Sequence, residues 1–189
     1  MTSGFSMLLV RHPPVVTGPE CCYGRLDVPL APGWERCLSR WTGEGPIFAS
    51  PASRCRLPAA RLGAEEGRAV SVDPRLAELD FGCWEGKRWE EVPREALDTW
   101  AGAPLTYRPG GGEAVRTLIE RVTAFWEERL AHRQSCRVVT HGGPLRVLLA
   151  LAEKRAFRMS DRAPAQGDGR LLYFFNNDRG MNIETLALR

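Results

Sequence analysis

The chain has 189 residues, with 26 Lys plus Arg against 23 Asp plus Glu and a formal net charge of +3. The charge is spread without a basic block, which speaks against a nucleic-acid or membrane-surface partner. A hydrophobic share of 43% excludes a disordered chain, and the length suits one domain over residues 1–189 that buries roughly two-thirds of its unfolded surface. No segment approaches the ~20 apolar residues that span a bilayer, and Phe5 to Val10 is too short for a secretory signal, so a cytoplasmic location is expected.

In chain order, Met7 to Val10 reads as a buried strand and Trp34 to Trp41 carries helical spacing. Pro46 to Ala49 reads as a second strand. Ser50 is a good N-cap and Pro51 suits a first helical position, which predicts a helix toward Leu62-Gly63 with Gly67 as its stop. Pro58 predicts a kink there, because its ring meets the carbonyl of Arg54. Ala69 to Val72 is a third short strand, Leu76 to Gly86 a loop, and Trp89 to Trp100 a helix. A glycine-rich stretch, Pro109 to Glu113, precedes a helix from about Glu113 to His132. Its apolar positions, from Val115 to Leu130, recur at intervals of three and four. Arg137 to Thr140 is the fourth strand and Pro144 to Leu151 another helix. Leu171 to Phe175 and Met181 to Leu188 close the chain as strands, joined as a hairpin through Asp178-Arg179-Gly180.

Strands alternating with helices of this length imply an α/β fold with three layers, α/β/α, around a mostly parallel sheet. Ligands bind such sheets beyond the C-terminal strand ends. Arg11-His12, Ser50 to Arg54 and Thr140-His141 all fall at such ends. The chain has three histidines, and two directly follow strand-like runs. His132, near a helix end, reads as a surface residue. The cysteines, Cys21, Cys22, Cys37, Cys55, Cys83 and Cys136, form no C-x-x-C pair and match no zinc spacing, so free packed thiols are expected and no metal site.

These residue types suit a phosphate monoester. Transfer of that dianionic group needs positioning and charge stabilisation above all. Arg11 and Arg54 offer forked donors that stay charged, and Gly142 offers a bare amide at a helix start. A neutral His12 has a ring nitrogen able to attack phosphorus. His141 is expected to stay protonated beside the dianion. Glu78, in the loop Leu76 to Gly86, is the candidate proton donor for the leaving oxygen. Trp84 and Trp89 read as packing or lid residues.

The same motifs resemble the histidine phosphatase superfamily, also called the phosphoglycerate mutase-like family. A strand ending in Arg-His-Gly appears as Leu9-Val10-Arg11-His12-Pro13, and Ser-Pro-x-x-Arg as Ser50 to Arg54. The acid loop appears as Leu76 to Gly86 and the second histidine motif as Val139-Thr140-His141-Gly142-Gly143. The resemblance implies a phosphoglycerate mutase-like fold, with His12 as phosphohistidine nucleophile and Arg11, Arg54 and His141 holding the phosphoryl group. It implies that Glu78 protonates the leaving group and then activates water, with no metal or organic cofactor. Two departures stand out. The family glycine after the first histidine is Pro13, which has no amide N–H. The family asparagine a few residues on is absent, leaving Thr17 and Gly18 near its place.

Cys22 to Leu30 is similar to a Cys-Tyr-Gly-Arg-x-Asp-x-Pro-Leu run found in the α-ribazole phosphatase subgroup of cobalamin synthesis, which makes Tyr23 and Arg25 candidate substrate contacts. Gly111-Gly112-Glu113 matches that subgroup too, although Glu113 reads equally well as a first-turn helix carboxylate. The expected partner is a small phosphorylated metabolite, with the oligomeric state open and a homodimer among the options. A broad-specificity phosphatase, a phosphoglycerate mutase and a non-catalytic phospholigand-binding protein remain the competing readings. The mutase reading is disfavoured by the chain's compactness.

Overall fold

The computed structural model describes residues 4–177 and 180–188. Its first strand, β1 (Phe5–Arg11), explains the layering by simple alternation. Met7 and Leu9 join one hydrophobic cluster, while Leu8 and Val10 join another on the opposite face. β2 (Ile47–Ala49) and β4 (Cys136–Thr140) are short and mostly buried, as strands covered on both sides must be, while β3 (Val70–Val72) is a short, largely exposed edge strand. β5 (Gly169–Asn177) and β6 (Gly180–Ala187) complete a sheet of order β3-β2-β4-β1-β5-β6. The β3-β2-β4-β1 pairs are parallel, and β5 pairs antiparallel with both β1 and β6. The expected hairpin turn lies partly outside the described residues, at positions 178 and 179.

The described residues form four α-helices, α1 (Ser53–Glu66), α2 (Arg94–Gly102), α3 (Val115–His132) and α4 (Gly142–Ala152); α1, α3 and α4 cover the sheet, and α2 packs beside Trp84 and Val92. On one face Val115, Leu118, Val122 and Phe125 of α3 meet Leu145 and Leu148 of α4 over Leu9 and Val138. On the other, Cys55, Ala59 and Leu62 of α1 pack with Trp41 and Leu38 over Val10 and Val139. The three layers expected from the sequence are therefore present.

Several local expectations need correction. α1 begins at Ser53, not Ser50, and Ala52 occupies its N-cap position without a side-chain cap. Ser50 is instead fully buried and spends its hydroxyl on a histidine, described below. Pro58 sits buried inside α1, which continues through it to a left-handed Gly67. Residues Trp34–Arg40 form a tighter 3₁₀ helix. The helix expected over Trp89 to Trp100 breaks at Pro93 into a short 3₁₀ turn, Trp89–Glu91, and α2; a proline cannot donate to a continuing helix. The loop Leu76 to Gly86 contains a further such turn at Gly82–Trp84. All six cysteines are free, with Cys22, Cys55 and Cys136 buried.

Candidate active site

Parallel pairing places Arg11 beside Thr140 and Ala49 beside Val139. The next residues along each strand, His12, His141 and Ser50, therefore emerge together at one sheet edge. Backbone bonds extend the register past the strands: the His12 amide donates to the Thr140 carbonyl at 2.8 Å and the Ser50 amide to the Val139 carbonyl at 3.0 Å. The two imidazoles face each other edge to face, with ring centres 5.3 Å apart. Both are buried.

Hydrogen-bond partners fix the tautomers. His12 Nδ1 lies 2.7 Å from the Pro13 carbonyl, an acceptor only, so Nδ1 carries the proton and Nε2 keeps its lone pair. Arg54 Nε donates to His141 Nδ1 at 3.3 Å, so the His141 proton sits on Nε2 and is donated to Ser50 Oγ at 2.7 Å. Burial pushes His12 down to about 3, with Arg54 and Arg11 adding to the shift against the Pro13 hydrogen bond. Burial and the charge of Arg54 hold His141 well below the usual imidazole range as well. The protein alone therefore keeps His141 neutral, against the expectation of a charged ring; a phosphoryl dianion would act in the opposite sense.

Three cations and one acid share a cavity of about 520 Å³ with these rings: Arg11, Arg54, Arg146 and Glu78. Arg54 is fully buried and donates to the carbonyls of Gly24 at 2.5 Å and Leu26 at 2.8 Å, with the Tyr23 ring 5.4 Å from its guanidinium. Arg11 donates to the Pro164 carbonyl at 3.2 Å, while its buried Nε has no hydrogen-bond partner among the described residues. Glu78 lies at the N-terminus of α4, where the Gly143 amide donates to both its carboxylate oxygens at 3.2 and 3.1 Å. Any side chain at position 143 would strike that carboxylate.

His12, His141, Glu78, Arg11, Arg54 and Tyr23 are thus brought together, and Thr17 joins them on the wall. Gly142 is not on that wall. It packs against Arg11 and Ala163, and the following residue, Gly143, supplies the amide at the site. Arg25 is exposed and lies off that cavity wall; it lines a smaller cleft of about 250 Å³ together with Glu78 and His141, and donates Nε to the main-chain carbonyl of Glu78 at 2.9 Å. Glu113 likewise lines no part of the cavity. The far wall comes from Phe81, Trp89, Trp100, Phe157 and Met159, with Arg146 and Gln166, whose amide donates to the Tyr23 hydroxyl at 2.9 Å. Residues 157–166 sit in an irregular stretch without a local motif, so only the fold could place them. Among the described residues, no group of three or more His, Cys, Asp or Glu is arranged to hold a metal ion.

Comparison with known proteins agrees with this geometry. The sequence matches the histidine phosphatase superfamily (branch 1) over residues 7–167. It is 33% identical over 154 residues, 75% of this chain and 73% of the relative, to phosphoserine phosphatase 1 of Hydrogenobacter thermophilus. The fold superimposes on the α-ribazole phosphatase of Shigella flexneri with a TM-score of 0.80 at 20% identity, covering 96% of each chain. A mycobacterial glucosyl-3-phosphoglycerate phosphatase gives 0.80 at 19% identity, covering 98% of this chain and 99% of the other. The strand-end histidines, the buried arginines and the family match converge: this chain belongs to the histidine phosphatase superfamily and is a phosphatase.

Proposed function

We propose that the chain is a phosphomonoesterase working through a phosphohistidine on His12, without metal or organic cofactor, and that its substrate is α-ribazole 5′-phosphate of cobalamin synthesis. The observation that carries the chemistry is the pairing of tautomers, in which His12 keeps an Nε2 lone pair inside an arginine-lined cavity. That lone pair forms the N–P bond while the ester P–O bond breaks with its electron pair. Arg11 and Arg54 stabilise the charge spread over the phosphoryl oxygens. The proton of the Glu78 carboxyl goes to the departing oxygen. Water then attacks phosphorus, Glu78 takes its proton, and the N–P electrons return to Nε2.

The substrate reading rests on the far wall. Phe81, Trp89, Trp100, Phe157 and Met159 suit a flat apolar leaving group such as a benzimidazole riboside. Glu78 is the one carboxylate among the described cavity residues, and it is committed to the ester oxygen. That leaves no acid for the ammonium of phosphoserine, the substrate named for a relative. A phosphatase panel decides the matter. α-Ribazole 5′-phosphate should give the highest kcat/KM, above phosphoserine, sugar phosphates and phosphoglycerates, with turnover unaffected by chelator. Equal rates across the panel would favour a broad-specificity enzyme, a preference for phosphoserine would reject the assignment, and binding of p-nitrophenyl phosphate without product would reject catalysis.

A further inference from the structure

The turn that carries Glu78 is gripped from behind by charged side chains that take no part in the chemistry above. The Glu78 main-chain carbonyl accepts from Arg25 Nε at 2.9 Å and from Arg121 Nη2 at 3.1 Å. Arg121 Nη1 donates to the Arg75 carbonyl at 2.7 Å. One guanidinium therefore ties together both ends of the run from residue 75 to residue 78. Its orientation is fixed in turn by Glu113, whose carboxylate accepts from Arg121 Nε at 2.8 Å and Nη2 at 2.9 Å. Arg25 Nη2 reaches the same carboxylate at 3.5 Å. The side chains of Arg121 and Glu113 are only 14% and 10% exposed, which separates this pair from the solvated ion pairs elsewhere on the surface. The Glu113 amide adds a second tether, donating to the Asp80 carbonyl at 2.8 Å.

A two-pronged guanidinium–carboxylate pair holds a plane as well as a distance. Arg121 belongs to α3, an 18-residue helix whose inner face is built into the core. The irregular loop bearing the acid is thereby referenced to one of the longest regular elements in the molecule. Proton delivery is sensitive to such referencing, since about 1 Å of misplacement costs on the order of 10²-fold in rate.

We propose that Arg121, locked by Glu113, is a positioning residue that sets the Glu78 carboxyl against the ester oxygen; this rests on the general-acid role assigned to Glu78. A brace of purely structural value would lower the yield of active enzyme and slow all substrates alike. A positioning residue slows those that need the proton. Alkyl phosphates need it, whereas p-nitrophenyl phosphate, whose leaving group is stable as an anion, does not.

The experiment compares n-propyl phosphate with p-nitrophenyl phosphate in wild type, Arg121→Lys, Glu113→Gln, Glu78→Gln and the Arg121→Lys/Glu78→Gln double variant, with circular dichroism to verify folding. Arg121→Lys should lower kcat/KM, which reports phosphoenzyme formation and not the Glu78-assisted hydrolysis common to both esters, about 10-fold or more for the alkyl ester and less than about 3-fold for the aryl ester. Added to Glu78→Gln, it should cost less than about 2-fold more, because the group it positions is already gone. Equal losses on both esters, or losses that multiply in the double variant, overturn the proposal. Should Arg121→Lys fail to fold, Glu113→Gln carries the same ester comparison and is judged by the same outcomes. If Glu78→Gln itself lowers kcat/KM for both esters equally, the general-acid assignment fails first and takes the proposal with it, an outcome distinct from a selective Glu78→Gln beside an unselective Arg121→Lys.

Discussion

The two catalytic-face histidines occupy equivalent places, one residue beyond adjacent parallel strands, yet their hydrogen bonds make them opposites. His12 uses one ring nitrogen on the neighbouring carbonyl of Pro13 and keeps the other free. His141 has both nitrogens engaged, one by Arg54 and one by Ser50. The same residue at the same kind of position thus keeps a free ring nitrogen in one case, as the proposed nucleophile must, and is fixed at both nitrogens in the other. The neighbours decide, not the strand.

The largest test of that contrast is removal of the nucleophile. His12→Ala should reduce turnover roughly 10⁴-fold or more while the circular dichroism spectrum stays native. Residual activity within a factor of ten of wild type in the purified variant would reject the assignment.

Acidification probes what the rings share. Both have folded-state values below the unfolded 6.5, so between pH 6.5 and about 3 the unfolded chain binds more protons than the native one. Stability must fall as pH falls, by up to about 1.4 kcal/mol per pH unit for each ring. The carboxylates held low by arginines, such as Glu66 and Asp73, add their loss only at lower pH, near and below 4.5 and 3.8. Thermal melts from pH 7 to pH 5 should therefore slope downward as the solution acidifies, and His12→Gln should remove about half of the slope. A melting temperature that stays flat across this window would contradict neutral buried rings.

A smaller effect isolates the difference between them. Ser50→Ala leaves the buried His141 Nε2–H without its hydroxyl acceptor, a loss of about 1–3 kcal/mol, and should leave the ring-nitrogen shifts of His12 unmoved. Imidazole ¹⁵N shifts that change on both rings alike would mean that the two tautomers are coupled and not separately set.

Strand ends were legible because each is a short apolar run stopped by charged or polar residues. Met7 to Val10 was legible as a buried strand because it is apolar throughout. α3 was legible from its spacing. The motifs singled out His12, His141, Arg54 and Glu78, and the fold brings all four to one cavity. What failed were assignments that treated a side chain's preferred local role as its actual one. Ser50 looks like a helix cap, but a buried imidazole claims its hydroxyl. Gly142 and Gly143 are indistinguishable in sequence, and only the seating of the Glu78 carboxylate shows which amide faces the site. Gln166 carried no signal, because its place depends on a long irregular connection, and Arg146 lies on α4 outside the quoted histidine motif.

One detail of the Arg11 side chain has a consequence for handling the protein. Its Nε–H finds no acceptor among the described residues, and the side chain lines the cavity, where an inorganic phosphate would meet a charged, forked donor. Whatever fills that position binds the native form and not the unraveled chain, so it raises the melting point by mass action. The end product of the reaction is then both competitor and preservative: a buffer chosen to keep the enzyme alive on the bench is one that slows it in the assay.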